Sequence, residues 1–198
     1  MSPQTFVALV AFAFVTSFTP GPNNIMLTAS GVNFGFGRSI PHMLGVAIGF
    51  IVLLFAAGCG LGSLFMAEPQ LQIVLKAVGA LYMLWLAWKV ANAGRSDVPA
   101  DERVRPLTFL QAAAFQWVNP KAVLIALGAV ALYIRPEQAA GDLAILVAVF
   151  ATSTVLSVVA WTGGGVALRG LLGDARRARI FNIVMALLLV ASIVPMVL

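Results

Sequence analysis

Residues 4–35 read QTFVALVAFAFVTSFTPGPNNIMLTASGVNFG, an apolar run without a single Lys, Arg, Asp or Glu. As one continuous helix it would be about 48 Å long at about 1.5 Å per residue, well over the roughly 30 Å of a bilayer's hydrocarbon core. At its middle stands Thr19-Pro20-Gly21-Pro22-Asn23-Asn24. Each proline removes an amide donor and obstructs the preceding turn, and the glycine between them loosens the backbone, so a helix broken at mid-length is predicted. Such a break frees polar groups at membrane depth, which is tolerable only against protein or a water-filled cavity.

Five further apolar runs follow, roughly at 43–66, 71–91, 107–133, 143–167 and 179–198. Period-2 alternation is absent and backbone groups in lipid must be satisfied within each segment, so the runs read as helices and not barrel strands. Of 198 residues, 61% are hydrophobic and 10% charged. That charged share is well under the roughly 25% of a soluble domain. Nothing is left over for a soluble unit. The expectation is an all-α integral membrane protein with six transmembrane helices, one transmembrane domain over 1–198 whose halves, about 1–91 and 107–198, are joined by a loop at 92–106. A cleaved signal peptide is the rival for the first run, but residues 1–37 hold no Lys or Arg and so lack a basic leader region; the run is read as a retained helix.

Six spans place the termini and the connections near 68 and 138 on one side, and those near 38, 97 and 173 on the other. The second side holds Arg38, Lys89, Arg95, Arg103, Arg105, Arg169, Arg176, Arg177 and Arg179, the first only Lys76 and Arg135. This asymmetry puts the basic side in the cytoplasm and both termini in the periplasm. It also accounts for the net charge of +5 without nucleic acid as a partner, because the basic residues sit in short connections rather than on one folded face.

The fourth segment repeats the prolyl device at Trp117-Val118-Asn119-Pro120-Lys121, which sets Lys121 near the midplane with no acidic residue in the interior of any segment. A charge at that depth costs about 2.5–3.5 kcal/mol on insertion scales and faces a cavity or a partner. Segments one and four open two halves of opposite orientation, a 3+3 inverted repeat with broken helices 1 and 4, and matching breaks in such halves point to a transporter's central site. A helix restarting after a proline offers amides and a positive dipole end to a carboxylate, and Lys121 adds a full charge. The side-chain amides of Asn23, Asn24 and Asn119 can bond an ammonium or a carboxylate. Pro20, Gly21, Pro22, Asn23, Asn24, Asn119, Pro120 and Lys121 are therefore the candidate substrate-binding residues for an α-amino acid. The competing reading has Lys121 snorkelling or bonding carbonyls freed by the break, with the asparagines capping helix ends.

At these residues the chain resembles the lysine exporter (LysE) superfamily and its RhtB branch of homoserine, threonine and cysteine-type exporters. The resemblance rests on Thr19-Pro20-Gly21-Pro22-Asn23 and Asn119-Pro120-Lys121, with Gly35, Arg38, Gly45 and Gly49 in the glycine-rich stretch that follows the first break, and it covers the whole chain. It implies a multi-pass exporter of amino acids or close derivatives in the bacterial inner membrane. Many RhtB-like relatives carry an acidic residue inside the fifth helix; here Thr152, Ser153, Thr154 and Ser157 stand in that stretch. This looks like the branch of cysteine and O-acetylserine exporters and speaks against a basic substrate. Hydroxyls also bond helix carbonyls, so a structural use of the four is expected at least as much as substrate contact.

Other readings weigh less. Trp85, Trp88 and Tyr133 are expected as interfacial anchors. Gly45, Gly49, Gly58 and Gly62 are expected as helix-packing positions, and the lone Cys59 as plain packing. His42, beside Pro41, is expected to make a local hydrogen bond rather than relay protons. No paired carboxylates, Cys/His pair or zinc cluster suits an intramembrane enzyme, no metal or cofactor is called for, and without a phosphate-binding loop transport would be secondary. A membrane scaffold or channel subunit is the alternative function, with unbroken helices as its mark. The coupling ion, a proton among the candidates, and a homodimeric state are left open.

Overall fold

The computed structural model describes residues 1–61, 69–93, 105–172 and 174–194, and among them every regular element is helical. α1 (Pro3–Phe18) starts at Ser2, whose hydroxyl accepts from the Thr5 amide at 3.1 Å, with proline in the first turn where no donor is needed. Thr19 is extended, and α2 (Pro22–Phe34) restarts after Gly21, so the two half-helices meet at 54°.

Gly35, at φ 79°, turns the chain within a single residue, and α3 (Phe36–Ala56) begins at once. The second helix therefore starts seven residues before the predicted 43, because a left-handed glycine removes the need for a connecting loop and Arg38 and His42 ride on the first turns of α3. A π-helical turn (Ala57–Leu61) ends it, with Gly60 at φ 104°. Cys59 lies exposed on that turn, against the expectation of plain packing. Gly58 does pack, against Leu143, while Gly62 lies outside the described residues.

α4 (Pro69–Ala91) follows. α5 (Phe109–Val118) starts at a reciprocal capping box between Thr108 and Gln111, and α6 (Pro120–Tyr133) continues it after a 65° bend at Asn119. A 3₁₀ turn (Pro136–Gln138) leads into α7 (Ala139–Arg169), and α8 (Ala175–Ala191) is capped by Asp174. Three described helices are long and apolar enough to cross a membrane, or five spans if each bent pair is one. α8, with 17 residues, covers the start of the last predicted run.

α7 is the axial element. Its buried residues Asp142, Leu146, Phe150, Ser153, Ser157 and Gly165 recur at helical spacing along one stripe, and it packs most extensively on α2, then on α3 and α1. α3 packs on α5, and α4 on α8. Two of these pairings have no room for a side chain. A Cβ at Gly31 would run into the Thr162 carbonyl and one at Gly165 into the Thr28 carbonyl, so α2 and α7 touch backbone to backbone. Gly49 lies on Ala113 of α5, 2.6 Å from its Cα for an added Cβ, and Gly45 meets Phe109 and Ala112. The packing expectation for Gly45 and Gly49 is thereby met.

The apolar interior divides into two cores. One joins Met26 and Leu27 of α2 with Met43, Met83, Leu86, Phe115 and Leu189; the other joins Leu9 and Ala13 of α1 with Leu53, Leu54, Ala126, Leu146 and Phe150. The helix breaks fall between them, and there the buried side chains turn polar.

Candidate functional site

The breaks at Pro20–Pro22 and Asn119–Pro120 face one another across a cavity of about 490 Å³, its open mouth included. Five of the eight predicted residues line it: Gly21, Asn23, Asn24, Asn119 and Lys121. The three prolines shape the breaks instead of lining the space; Pro20 is exposed, Pro22 buried and Pro120 half-buried. α3 contributes Val46 and Phe50, and α7 contributes Thr154 and Ser157.

Lys121 reaches back over the first break and donates from Nζ to the Thr19 carbonyl at 2.5 Å. That carbonyl is exposed by the prolyl interruption, so the lysine neutralises the negative dipole end of α1. The stem passes directly over Gly21, where an added Cβ would lie 2.8 Å from Lys121 Cδ. Glycine at this position leaves the crossing clear, and any side chain there would push the end of Lys121 aside.

The three asparagines play different parts. Asn24, buried, donates from Nδ2 to the Ser17 carbonyl at 3.0 Å and to the Thr19 carbonyl at 2.9 Å, satisfying the last turn of α1. Asn119 caps α6 by accepting from the Lys121 amide at 3.2 Å. Asn23 pairs face to face with Gln116: its Nδ2 donates to Gln116 Oε1 at 2.8 Å and its Oδ1 accepts from Gln116 Nε2 at 3.2 Å. The start of α2 differs from the starts of α1 and α6 in having no side-chain cap, and it opens onto the cavity. Backbone amides at such a start suit an anion.

The four hydroxyls of the fifth apolar run divide by face. Thr152 is exposed and bonds its own helix at the Ala148 carbonyl. Ser153 meets the Ser17 hydroxyl at 3.3 Å, and Ser157 donates to the Ser17 carbonyl at 2.7 Å, so these two stitch α7 to α1. Ser157 and Thr154 also face the cavity.

Residues outside the predicted set complete the polar layer. Gln116 is fully buried and also donates to the Ala112 carbonyl at 2.9 Å. Asn33 and Asn182 exchange two bonds of 2.7 and 2.9 Å, and Asn182 donates a third to the Ala93 carbonyl, tying α2, α8 and the end of α4 together. A lone amide in an apolar run was the available signal, because such a group in hydrocarbon needs a partner. His42 is buried with neither ring nitrogen bonded, against the expected local hydrogen bond: the Ser30 and Ser39 hydroxyls bond one another, and Ser39 also bonds the Gly35 carbonyl. Among the described residues no cluster of His, Cys, Asp or Glu can hold a metal.

The sequence matches the family model of the LysE type translocator over residues 14–193. It is 36% identical over 196 residues to the cysteine/O-acetylserine efflux protein of Salmonella choleraesuis (strain SC-B67), with 96% of each chain covered. Against the protein of the same name from Salmonella paratyphi A (strain ATCC 9150 / SARB42) the identity is 37%, and against that from Escherichia coli (strain K12) 33%, again with 96% of each chain covered. No solved structure gives a significant match. The chain belongs to the LysE type translocator family, and is a multi-pass inner-membrane transporter rather than an enzyme.

Proposed function

We propose that this translocator exports neutral amino acids or close derivatives, such as cysteine, O-acetylserine, threonine and homoserine, through the cavity between the two helix breaks. The observation that carries the reading is the meeting of Lys121 with the uncapped start of α2 in one cavity. A substrate carboxylate takes Lys121 Nζ from the Thr19 carbonyl and rests against the amides at Asn23 and Asn24; the released carbonyl, with the oxygens of Thr154 and Ser157, accepts from the substrate ammonium. Gly21 and the prolines hold the geometry, and Asn119 and Pro120 aim Lys121. No acidic side chain lines the cavity among the described residues, so a basic substrate side chain has nothing to balance it beside Lys121. The names of the 33–37% identical relatives support the same substrate class.

The frame is a single domain of six spans in a 3+3 inverted repeat. Its support is the pairing of whole spans: the first span on α7 answers the fourth on α3, while α3 on α7 and α4 on α8 each map onto themselves under a two-fold axis in the membrane plane. The excess of basic residues on one side supports periplasmic termini. A zwitterion carries no net charge, so export against a gradient requires a coupled ion, for which we take the proton as the candidate.

Purified protein in liposomes loaded with labelled O-acetylserine is expected to release it faster under an imposed proton gradient, and labelled lysine no faster than protein-free vesicles. Release of lysine at the O-acetylserine rate would sink the substrate reading. A reporter fused after Leu198 is expected to signal from the periplasm, and a cytoplasmic signal would overturn the topology.

A further inference from the structure

A second cavity, about 360 Å³ with its mouth, lies toward the basic end of the helices and shares no lining residue with the first. Ser30 and Asn33 of α2, His42 of α3, Lys89 of α4 and Arg105 ahead of α5 line it, over apolar walls that include Met26, Leu86 and Leu107. Burying an imidazole with both nitrogens unbonded is costly, and here the ring sits against a cavity wall that also carries two cations. The other polar side chains are already committed. Ser39 donates to the Gly35 carbonyl at 2.8 Å and pairs with Ser30 at 2.9 Å, and both polar ends of Asn33 are held by Asn182. Lys89 stands 4.9 Å over the Trp85 ring, which holds the ammonium at the rim while leaving its donors for a ligand. No acidic side chain lines the cavity among the described residues.

We infer that this cavity is an oxyanion-binding site, in which Lys89 and Arg105 hold a carboxylate or phosphate group and His42 donates the bond that its buried ring otherwise lacks. A guanidinium fork matches a two-oxygen anion, and an ammonium beside it adds charge without demanding geometry. The apolar walls suit the carbon chain that such an anion carries. The same chemistry is met by a soluble anion and by a lipid headgroup at a basic interhelical pocket. α2 lines both cavities, Asn23 and Asn24 in one and Ser30 and Asn33 in the other, so occupancy of the basic site bears on the helix that begins at the export cavity.

His42 is the only histidine of the chain, so ring-nitrogen NMR of histidine-labelled protein reports on this site alone. The full chain in phosphatidylcholine nanodiscs is titrated with acetate or inorganic phosphate at constant pH and constant ionic strength, and a second preparation carries phosphatidylglycerol in the disc with no added anion. A saturable change of the ring signals with the soluble anions identifies a soluble ligand, and a change with phosphatidylglycerol alone identifies the headgroup; both support the site. Lys89→Gln and Arg105→Gln, tested separately, are each expected to weaken the response by about tenfold or more. Arg105 is exposed, so its replacement leaves the packing intact even where that of Lys89 does not. Ring signals unmoved in every condition overturn the inference, as does a response undiminished in both variants. Lys121→Met is run alongside: a response retained there, with export lost, separates this site from the export cavity, and a response lost there assigns the signal to that cavity and overturns the inference.

Discussion

Replacing Lys121 with methionine separates what the lysine does for folding from what it does for export. Among the described residues the ammonium's one partner is the Thr19 carbonyl, which keeps a second donor, Asn24 Nδ2 at 2.9 Å, when the lysine is gone. No buried acceptor is orphaned. Removing a charge from membrane depth also saves a share of the about 2.5–3.5 kcal/mol that insertion scales assign to it. The variant is therefore expected to insert and to be at least as stable to heat as the parent. Binding is expected to move the other way. A hydrogen bond to a charged group contributes about 1.5–3 kcal/mol, so the Kd for O-acetylserine should rise roughly 10- to 150-fold. Calorimetric titration in detergent gives the Kd, a thermal-shift assay the stability, and proteoliposome efflux the consequence for transport. A Kd within about threefold of the parent would refute the reasoning, leaving Lys121 as a cap on α1 and nothing more. Lys121→Arg tests geometry at constant charge: the stem crosses Gly21 so closely that even a Cβ there would crowd it, so the bulkier guanidinium should cost affinity despite its charge.

Three further outcomes are expected. Converting Pro20, Gly21 and Pro22 together to alanine lets α1 and α2 merge and consumes the amides at the start of α2; the protein should insert yet show no substrate-induced thermal stabilisation, and stabilisation equal to the parent's would count against a site at the break. Gly165→Val drives a side chain into the Thr28 carbonyl and should lower thermal stability severely, whereas Gly164→Ala, with open space around it, should leave the melting temperature unchanged; equal effects would disprove the backbone contact of α2 and α7. Asn182→Leu strips Asn33 Oδ1 and the Ala93 carbonyl of their donor and should cost about 1–3 kcal/mol, read by denaturation in mixed micelles, while the double replacement of Asn33 and Asn182 by leucine should recover part of it.

The helix breaks were legible because their cause is local: Pro20-Gly21-Pro22 and Asn119-Pro120 each join a missing donor to a loosened or capping neighbour, whereas the lone Pro41 is carried within α3. The same holds for the helical class and for Gly45 and Gly49 as contact positions. The length of α3 was not legible, since Arg38 and His42 read as a connection until Gly35 is seen to turn the chain in one residue. Distant partnerships lie beyond a linear reading. Lys121 meets the Thr19 carbonyl across 102 residues and Asn23 meets Gln116 across 93, and each depends on how α1, α2, α5 and α6 come together. The hydroxyls of α7 had been an even choice between structure and ligand; they divide by face, with Thr152 outward, Ser153 toward α1, and Ser157 toward both α1 and the cavity.

The bond between Lys121 and the Thr19 carbonyl also bears on when the carrier works. Thr19 is an acceptor built into the chain at fixed distance, and under the proposed reading a substrate carboxylate competes with it for the Lys121 ammonium. Affinity measured for a solute is then the outcome of a contest and lower than the lysine alone would provide. Under the proposed reading such a rival raises the concentration at which the site fills, so export is expected to be slow at low pool sizes and to climb as the compound accumulates.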